Sequence, residues 1–121
     1  MKFTKEEISL CKQVAEKHRK LIEHGDWYFN ERMGMTNFWF HFAPYQGKIF
    51  IPLWTISDCL EFLRDKGWND IAIEIRPYYD DIKCFAERGE VDKGCERGVT
   101  GEGKTALEAC LKAVLAVLEE E

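Results

Sequence analysis

The chain lacks the cysteine spacing of a metal site or a redox motif. Its five cysteines include no C-x-x-C pair, and no group of cysteines and histidines has zinc-ligand spacing. Their odd number and wide spread are typical of free thiols in a reducing cytosol. We therefore expect neither a bound metal nor any other cofactor. The cysteines are Cys11, Cys59, Cys84, Cys95 and Cys110.

Long apolar runs and an excess of positive charge are missing as well. No window approaches the ~18 apolar residues that span a bilayer, and charges at Lys5, Glu6 and Glu7 interrupt any signal-peptide core. The net charge of −5 argues against binding dominated by phosphate contacts and against anionic membranes. We expect a cytoplasmic protein that binds neither nucleic acid nor membranes.

What is present is the composition of an ordinary globular domain. The 121 residues are 45% hydrophobic and 32% charged, without repeats or low-complexity linkers. This length is enough for one core and too short for two. We expect residues 1–121 to form a single domain.

Three helix starts share one local signature, a threonine followed three residues later by an acidic residue. This capping box satisfies two free N–H groups at a helix N-terminus. Apolar residues at helical spacing follow each box, and glycine is a natural stop. The pattern predicts one helix from Thr4 to Gly25, a shorter one from Thr55 to Gly67, and a last one from Thr105 to the C-terminus.

Stretches rich in aromatic and β-branched residues predict strands between these helices. We expect three in a meander, then a hairpin with a loop at Pro77–Asp81, while the glycine-rich residues 89–104 predict a mobile loop. The fold class is α+β, with a mostly antiparallel sheet of about four to five strands covered by three helices in a layered α/β/α sandwich. The expected strands are Asp26–Arg32, Thr36–Phe42, Lys48–Leu53, Asp70–Arg76 and Ile82–Arg88.

The segment GVTGEGKT, residues 98–105, matches the phosphate-loop pattern G-x-x-x-x-G-K-[ST]. In a nucleotide hydrolase, a later strand supplies an aspartate for the metal ion. Here only a predicted helix follows Thr105, and Glu102 would repel phosphate, so we expect Thr105 to be a helix cap. The alternative is a small nucleotide- or anion-binding module using the glycine-rich loop 98–105, with Gly103, Lys104 and Thr105 as its anion site.

Catalytic groups are few, and no local signature connects them. Cys95 could act as a nucleophile with one of three histidines (His18, His24 and His41), and Asp80 with Asp81 could form a carboxylate pair. Aspartates are common in hairpin turns for conformational reasons. We expect no catalysis, and an enzyme is the third alternative after protein binding and anion binding.

Aromatic residues exceed what one sheet face can bury. In the segment FWFHF successive side chains point to opposite faces, so large rings stand on both. Either helices cover both faces, or one face packs against a second copy or a partner protein. Trp39, Tyr78 and Tyr79 are the candidate contact residues, and a homodimer is one expected assembly.

Three stretches together resemble one family: the closing helix from Gly101, the segment IPLWTISDCLEFL at residues 51–63, and Gly25-Asp26-Trp27. They are similar to small bacteriophage and prophage proteins with an ABA-sandwich domain. The resemblance implies a layered α/β/α fold, a source in a phage or prophage of a bacterial host cell, and no catalytic residues. It leads us to expect an accessory protein that acts by protein binding.

Overall fold

The computed structural model describes residues 2–90 and 95–120, with backbone alone for residues 89, 90 and 95–97. The chain divides into two compact units, Met1–Trp54 and Thr55–Glu121, and each is described by itself. The predicted α+β class is confirmed. The prediction of one domain stays a prediction.

The first unit contains one helix and a three-stranded sheet. The predicted capping box is present: Glu7 N–H donates to Thr4 Oγ1 at 3.1 Å, and Thr4 N–H donates to Glu7 Oε1 at 2.7 Å. Leu10, Cys11 and Val14 form the buried face of the helix. The elements are α1 (Lys5–Lys17), β1 (Trp27–Asn30), β2 (Met35–Phe38) and β3 (Phe50–Leu53).

The prediction that the first helix continues to Gly25 is wrong, because tertiary contacts hold the following residues in other conformations. The Arg19 guanidinium donates to the carbonyl oxygens of Gly47 (2.6 Å) and Phe50 (2.5 Å). Ile22 makes an antiparallel bridge with Tyr45, which uses its backbone groups outside a helix. Helix propensity is a weak preference that such contacts override.

The predicted meander is wrong in its strand order, which is β2-β1-β3 with both pairs antiparallel. β3 pairs with β1 and not with β2. The connection between β2 and β3 carries Tyr45, whose backbone bonds to Ile22 upstream of β1. That bridge leads the chain to the other edge of β1.

The second unit contains two helices and a second three-stranded antiparallel sheet, ordered β4-β5-β6. The predicted hairpin is confirmed, with Pro77–Tyr79 as a single 3₁₀ turn at its tip. The elements are α2 (Ile56–Asp65), β4 (Asp70–Arg76), β5 (Asp81–Glu90), β6 (Cys95–Gly103) and α3 (Ala106–Glu120).

Two parts of the fold prediction are therefore wrong. The described residues form six strands in two sheets, in place of one sheet of four to five strands. Much of the predicted mobile loop 89–104 is strand, because β5 continues to Glu90 and residues 95–103 form β6; residues 91–94 lie outside the described part. Glycine content suggested a loop, but glycines also occur in strands where another backbone approaches closely.

Gly101 is such a position. A Cβ atom there would lie 2.2 Å from the carbonyl oxygen of Ala109 and 2.6 Å from the amide nitrogen of Ala113, so α3 packs directly on β6. Gly101 pairs with Cys84, which pairs with Ile73. Paired residues share a face of a sheet, so Ile73 lies on the face that α3 covers at β6.

In the described part of the chain, every helix is too short or too polar to cross a bilayer.

Candidate protein-binding surface

The tip of the β4–β5 hairpin is a tight turn with a defined backbone. Pro77 begins the 3₁₀ turn, where its fixed φ angle suits a first helical position. Asp80 ends the turn in the left-handed conformation at φ 51°, and its N–H donates to the Pro77 carbonyl oxygen at 3.4 Å. Aspartate is one of the few side chains that tolerate this region.

An ion pair closes the hairpin below this turn. Arg76 donates from Nε to Asp81 Oδ1 at 2.9 Å and from Nη2 to Asp81 Oδ2 at 2.5 Å, in a bidentate arrangement. Glu102 of β6 lies 3.4 Å from the same Nη2 atom. The hydrogen bonds from Arg76 lower the pKa of the Asp81 carboxyl below its ordinary value. The pKa of Arg76 is raised, chiefly by its hydrogen bonds to Asp81.

Two further contacts hold the turn itself. The Arg76 guanidinium carbon lies 4.9 Å from the centre of the Tyr79 ring, within the range of a cation–π interaction. Lys104, the residue after β6, donates from Nζ to the Asp80 carbonyl oxygen at 3.1 Å, and this atom lies 3.5 Å from Asp80 Oδ2. Arg76 and Lys104 therefore both contact residues of the turn.

The tip presents two tyrosine rings to solvent. Tyr78 is 99% exposed and Tyr79 is 73% exposed. Both were predicted as partner contacts, and the structure places them side by side on the turn that Arg76 and Lys104 hold. We call Pro77, Tyr78, Tyr79 and Asp80 the tyrosine tip.

A second apolar feature lies along β4, which is an edge strand of its sheet. Ile71, Ile73 and Ile75 alternate on one face, and we call them the β4 stripe. Ile73 is 40% exposed and Ile75 is 74% exposed, whereas the neighbouring β5 residues Cys84 and Ala86 are fully buried. The alternation was visible in the sequence, but the edge position that leaves the stripe exposed was not.

The segment that matches the phosphate-loop pattern is the end of strand β6 and the two residues, Lys104 and Thr105, that precede helix α3. Thr105 Oγ1 accepts from Glu108 N–H at 3.1 Å, as expected for a helix cap. Glu108 Oε2 accepts from the N–H groups of Lys104 at 2.6 Å and Thr105 at 3.3 Å. A carboxylate of the chain itself thus occupies the N–H groups that a phosphate would use.

The other anion-site candidates have structural contacts too. A Cβ atom at Gly103 would lie 2.5 Å from the Glu108 Cβ atom, so this glycine makes room for the cap. The ammonium group of Lys104 reaches Asp80 at the tyrosine tip. A shallow pocket between these elements has two cations, Arg76 and Lys104, each beside an aspartate. The anion site itself stays a prediction.

Trp39, the remaining predicted contact residue, lies within an aromatic cluster of the first unit. Its indole N–H donates to the Ala43 carbonyl oxygen at 3.0 Å, and its ring is half-buried. The ring centres of its aromatic neighbours are 4.6 to 5.9 Å away: Tyr28, His41, Tyr45 and Phe50. These packing contacts account for the presence of a large aromatic side chain at Trp39. Its role as a partner contact stays a prediction.

The candidate catalytic groups whose side chains the structure describes are two aspartates and three histidines. The side chain of Cys95 lies outside the described residues. Asp81 pairs with Arg76 and Asp80 lies near Lys104, and no group of three metal-ligating side chains is found where the chain is described. Each histidine lies against an aromatic ring: His18 against Trp54, His24 against Phe42, and His41 against Trp39.

Two buried thiols, those of Cys84 and Cys110, are a further pair of reactive groups. Cys84 and Cys110 are fully buried between β5 and α3. A hydrogen bond with Cys84, together with burial, raises the pKa of the Cys110 thiol above its ordinary value. Both thiols are inaccessible to solvent, so this pair behaves as part of the core.

No family model matches the chain, and searches of curated proteins and of solved structures find no significant match.

Proposed function

We propose that this chain is a small binding protein, of the phage or prophage accessory type that its sequence resembles, and that it binds a partner protein through the tyrosine tip. The observation that supports this proposal is the exposure of Tyr78 and Tyr79 on a turn that the partly buried Arg76–Asp81 ion pair closes. A held turn loses little conformational entropy on binding.

The chemistry of the tip suits a protein partner. Tyrosine and arginine are enriched among the residues that dominate interface energies, because each combines a large apolar surface with a hydrogen-bonding group. The Arg76 guanidinium lies over the Tyr79 ring, and Asp80, the next residue in the turn, carries a carboxylate that is 3.5 Å from Lys104 Nζ. The expected partner therefore offers an apolar pocket with hydrogen-bond donors at its rim.

The test begins with a photo-reactive phenylalanine analogue at position 78 and, as a control, at the half-buried Tyr45. Crosslinking in bacterial cells should yield a discrete protein from position 78 alone. That protein is then purified and its affinity measured by calorimetry. Replacing both tip tyrosines by serine should weaken binding by about tenfold or more.

Phe42→Ser is the matched control, because Phe42 is an aromatic side chain of the first unit with 92% exposure. It should leave the affinity unchanged. Equal losses in the tip variant and in Phe42→Ser would contradict the proposal, and so would an unchanged affinity of the tip variant.

The anion-binding alternative would use Gly103, Lys104 and Thr105. It requires the Glu108 carboxylate to leave the N–H groups of Lys104 and Thr105, and Lys104 to leave Asp80. No described contact favours that rearrangement over the cap, so protein binding is the function we propose.

A further inference from the structure

Strand β4 differs from β2 and β3, the edge strands of the first unit's sheet, in having a long unprotected edge. Proteins commonly shorten such edges or interrupt them with proline or local side-chain bonds, because free N–H and C=O groups pair with other chains. β2 has four residues, and Asn37 Oδ1 accepts the N–H of Phe38 at 2.8 Å. β3 has four residues and contains Pro52. β4 has seven residues and contains neither proline nor glycine.

We propose that β4 pairs with β4 of a second copy of this chain, antiparallel across a two-fold axis at Ile73. The two three-stranded sheets would then form one continuous six-stranded sheet. This proposal goes beyond the tyrosine tip, since it uses other residues and names a different partner. A two-fold interface brings the same surface together from both copies, so the strand must be complementary to itself.

The apolar face of β4 meets this requirement. With Ile73 opposite Ile73 of the second copy, Ile71 lies opposite Ile75, so isoleucine faces isoleucine at each position of the stripe. The exposed parts of Ile73 and Ile75 lie on the face that carries α3, where burial removes apolar surface from water.

The polar face is complementary in the same register. Asp70 of each copy lies opposite Arg76 of the other, which places opposite charges at both ends of the pairing. Glu74 lies opposite Ala72, so no like charges meet. Arg76 keeps its contacts with Asp81 and Glu102 on its own sheet, and Asp70 approaches it from the free edge.

Neighbouring registers lose this complementarity. Moving the axis to Ala72 places Asp70 opposite Glu74, and moving it to Glu74 places two glutamates opposite each other. Like charges directly opposite are destabilising. An axis between two residues places isoleucines opposite polar side chains. The charges therefore select the axis at Ile73.

The experiment uses two substitutions at Ala72, which is exposed and lies opposite Glu74 of the second copy. Ala72→Lys adds two opposite-charge pairs to the dimer, while Ala72→Glu adds two like-charge pairs. The dimer dissociation constant of the full chain is measured by sedimentation velocity. We expect Ala72→Lys to lower it about threefold or more and Ala72→Glu to raise it by a similar factor.

Thr100→Lys and Thr100→Glu are the matched controls, since Thr100 is exposed in the same row of the sheet but on β6. Each control changes the net charge by the same amount as the Ala72 variant with the same new residue. Each should change the dissociation constant only by a small factor, and this factor should be of similar size for both controls. Ile75→Lys, at an exposed position, should make the chain monomeric at concentrations where the unchanged protein dimerises.

Opposite shifts for the two Ala72 variants, beyond those of the Thr100 variants, support the proposal. It is overturned if the unchanged protein stays monomeric up to about 1 mM, or if both Ala72 variants follow their Thr100 controls. Replacing both tip tyrosines by serine should leave dimerisation unchanged. Failure of the β4 proposal can therefore be told from failure of the proposed function.

Discussion

Gly101 determines how closely α3 lies on β6. A methyl group there would overlap the backbone of α3 at Ala109 and Ala113, and backbone atoms cannot move aside as a flexible side chain can. We expect Gly101→Ala to lower the free energy of unfolding by about 3 kcal/mol, at the upper end of overpacking effects. Urea denaturation followed by circular dichroism measures this change.

Gly98→Ala is the control within the same strand. A Cβ atom at Gly98 would meet its nearest neighbours at 3.9 and 4.0 Å, which is ordinary contact. Alanine should stabilise the strand by about 0.5 kcal/mol, because glycine loses more backbone entropy on folding. Equal effects of the two substitutions would show that α3 does not pack closely on Gly101.

The contacts of residues 98–105 show which side-chain roles can be predicted from the sequence. The roles of Thr105 and Glu108 depend on neighbours three residues apart, so the cap was predicted correctly. The contact between Lys104 and Asp80 joins residues 24 positions apart in sequence, and no local pattern indicates it. The glycines were assigned to a loop, since their close approach to α3 depends on tertiary packing.

At the scale of elements, the β4–β5 hairpin should depend on pH through Asp81. Its pKa is lowered by Arg76 from the ordinary value of 3.8, so the ion pair contributes full stability above that value. The contribution is lost as the pH falls through the lower pKa of the folded state. At pH 7, Asp81→Asn should therefore melt below the unchanged protein, and this difference should shrink below pH 3.8.

Thermal unfolding from neutral pH down to about pH 2.5 tests this expectation. Glu61→Gln on the exposed side of α2 is a control that removes one negative charge elsewhere. At neutral pH its melting temperature should stay close to that of the unchanged protein, because surface substitutions usually change stability by less than about 0.5 kcal/mol. A constant difference between Asp81→Asn and the unchanged protein at all pH values would contradict the role of the ion pair.

Elements were predicted well where short-range patterns decide them. β4 has the predicted bounds, and the capping boxes of α1 and α2 are present. The end of α1 was missed, because Arg19 and Ile22 bond to residues far along the chain. The order β2-β1-β3 was missed for the same reason: the connection between β2 and β3 forms a long-range bridge, Tyr45 with Ile22, that no local pattern indicates.

At the scale of the whole molecule, the boundary between the two compact units is unlike a domain linker. Linkers are usually exposed and rich in glycine, proline or polar residues. Here the boundary follows Trp54, which is buried and whose N–H donates to Cys11 Sγ at 3.5 Å. Thr55, the next residue, is already the cap of α2. The prediction of one domain rests on the length of the chain, and this continuity is a second argument for it.

One domain should unfold in one step, and the four tryptophans allow a direct test. Trp27, Trp39 and Trp54 belong to the first unit, and Trp68 is the single tryptophan of the second. With 5-fluorotryptophan in all four positions, fluorine NMR follows each unit through a urea titration. We expect all native signals to disappear with the same midpoint.

A destabilising substitution in one unit makes the test decisive. Leu10→Ala removes a buried side chain of α1 and should cost about 2–5 kcal/mol, while Leu111→Ala does the same in α3. In a single cooperative domain, either substitution lowers the midpoint of every tryptophan, including those of the other unit. If Leu10→Ala leaves the Trp68 midpoint in place while the other three move, the two units unfold independently. The prediction of a single domain is then wrong, and the tyrosine tip and the β4 stripe belong to a domain that can be tested alone.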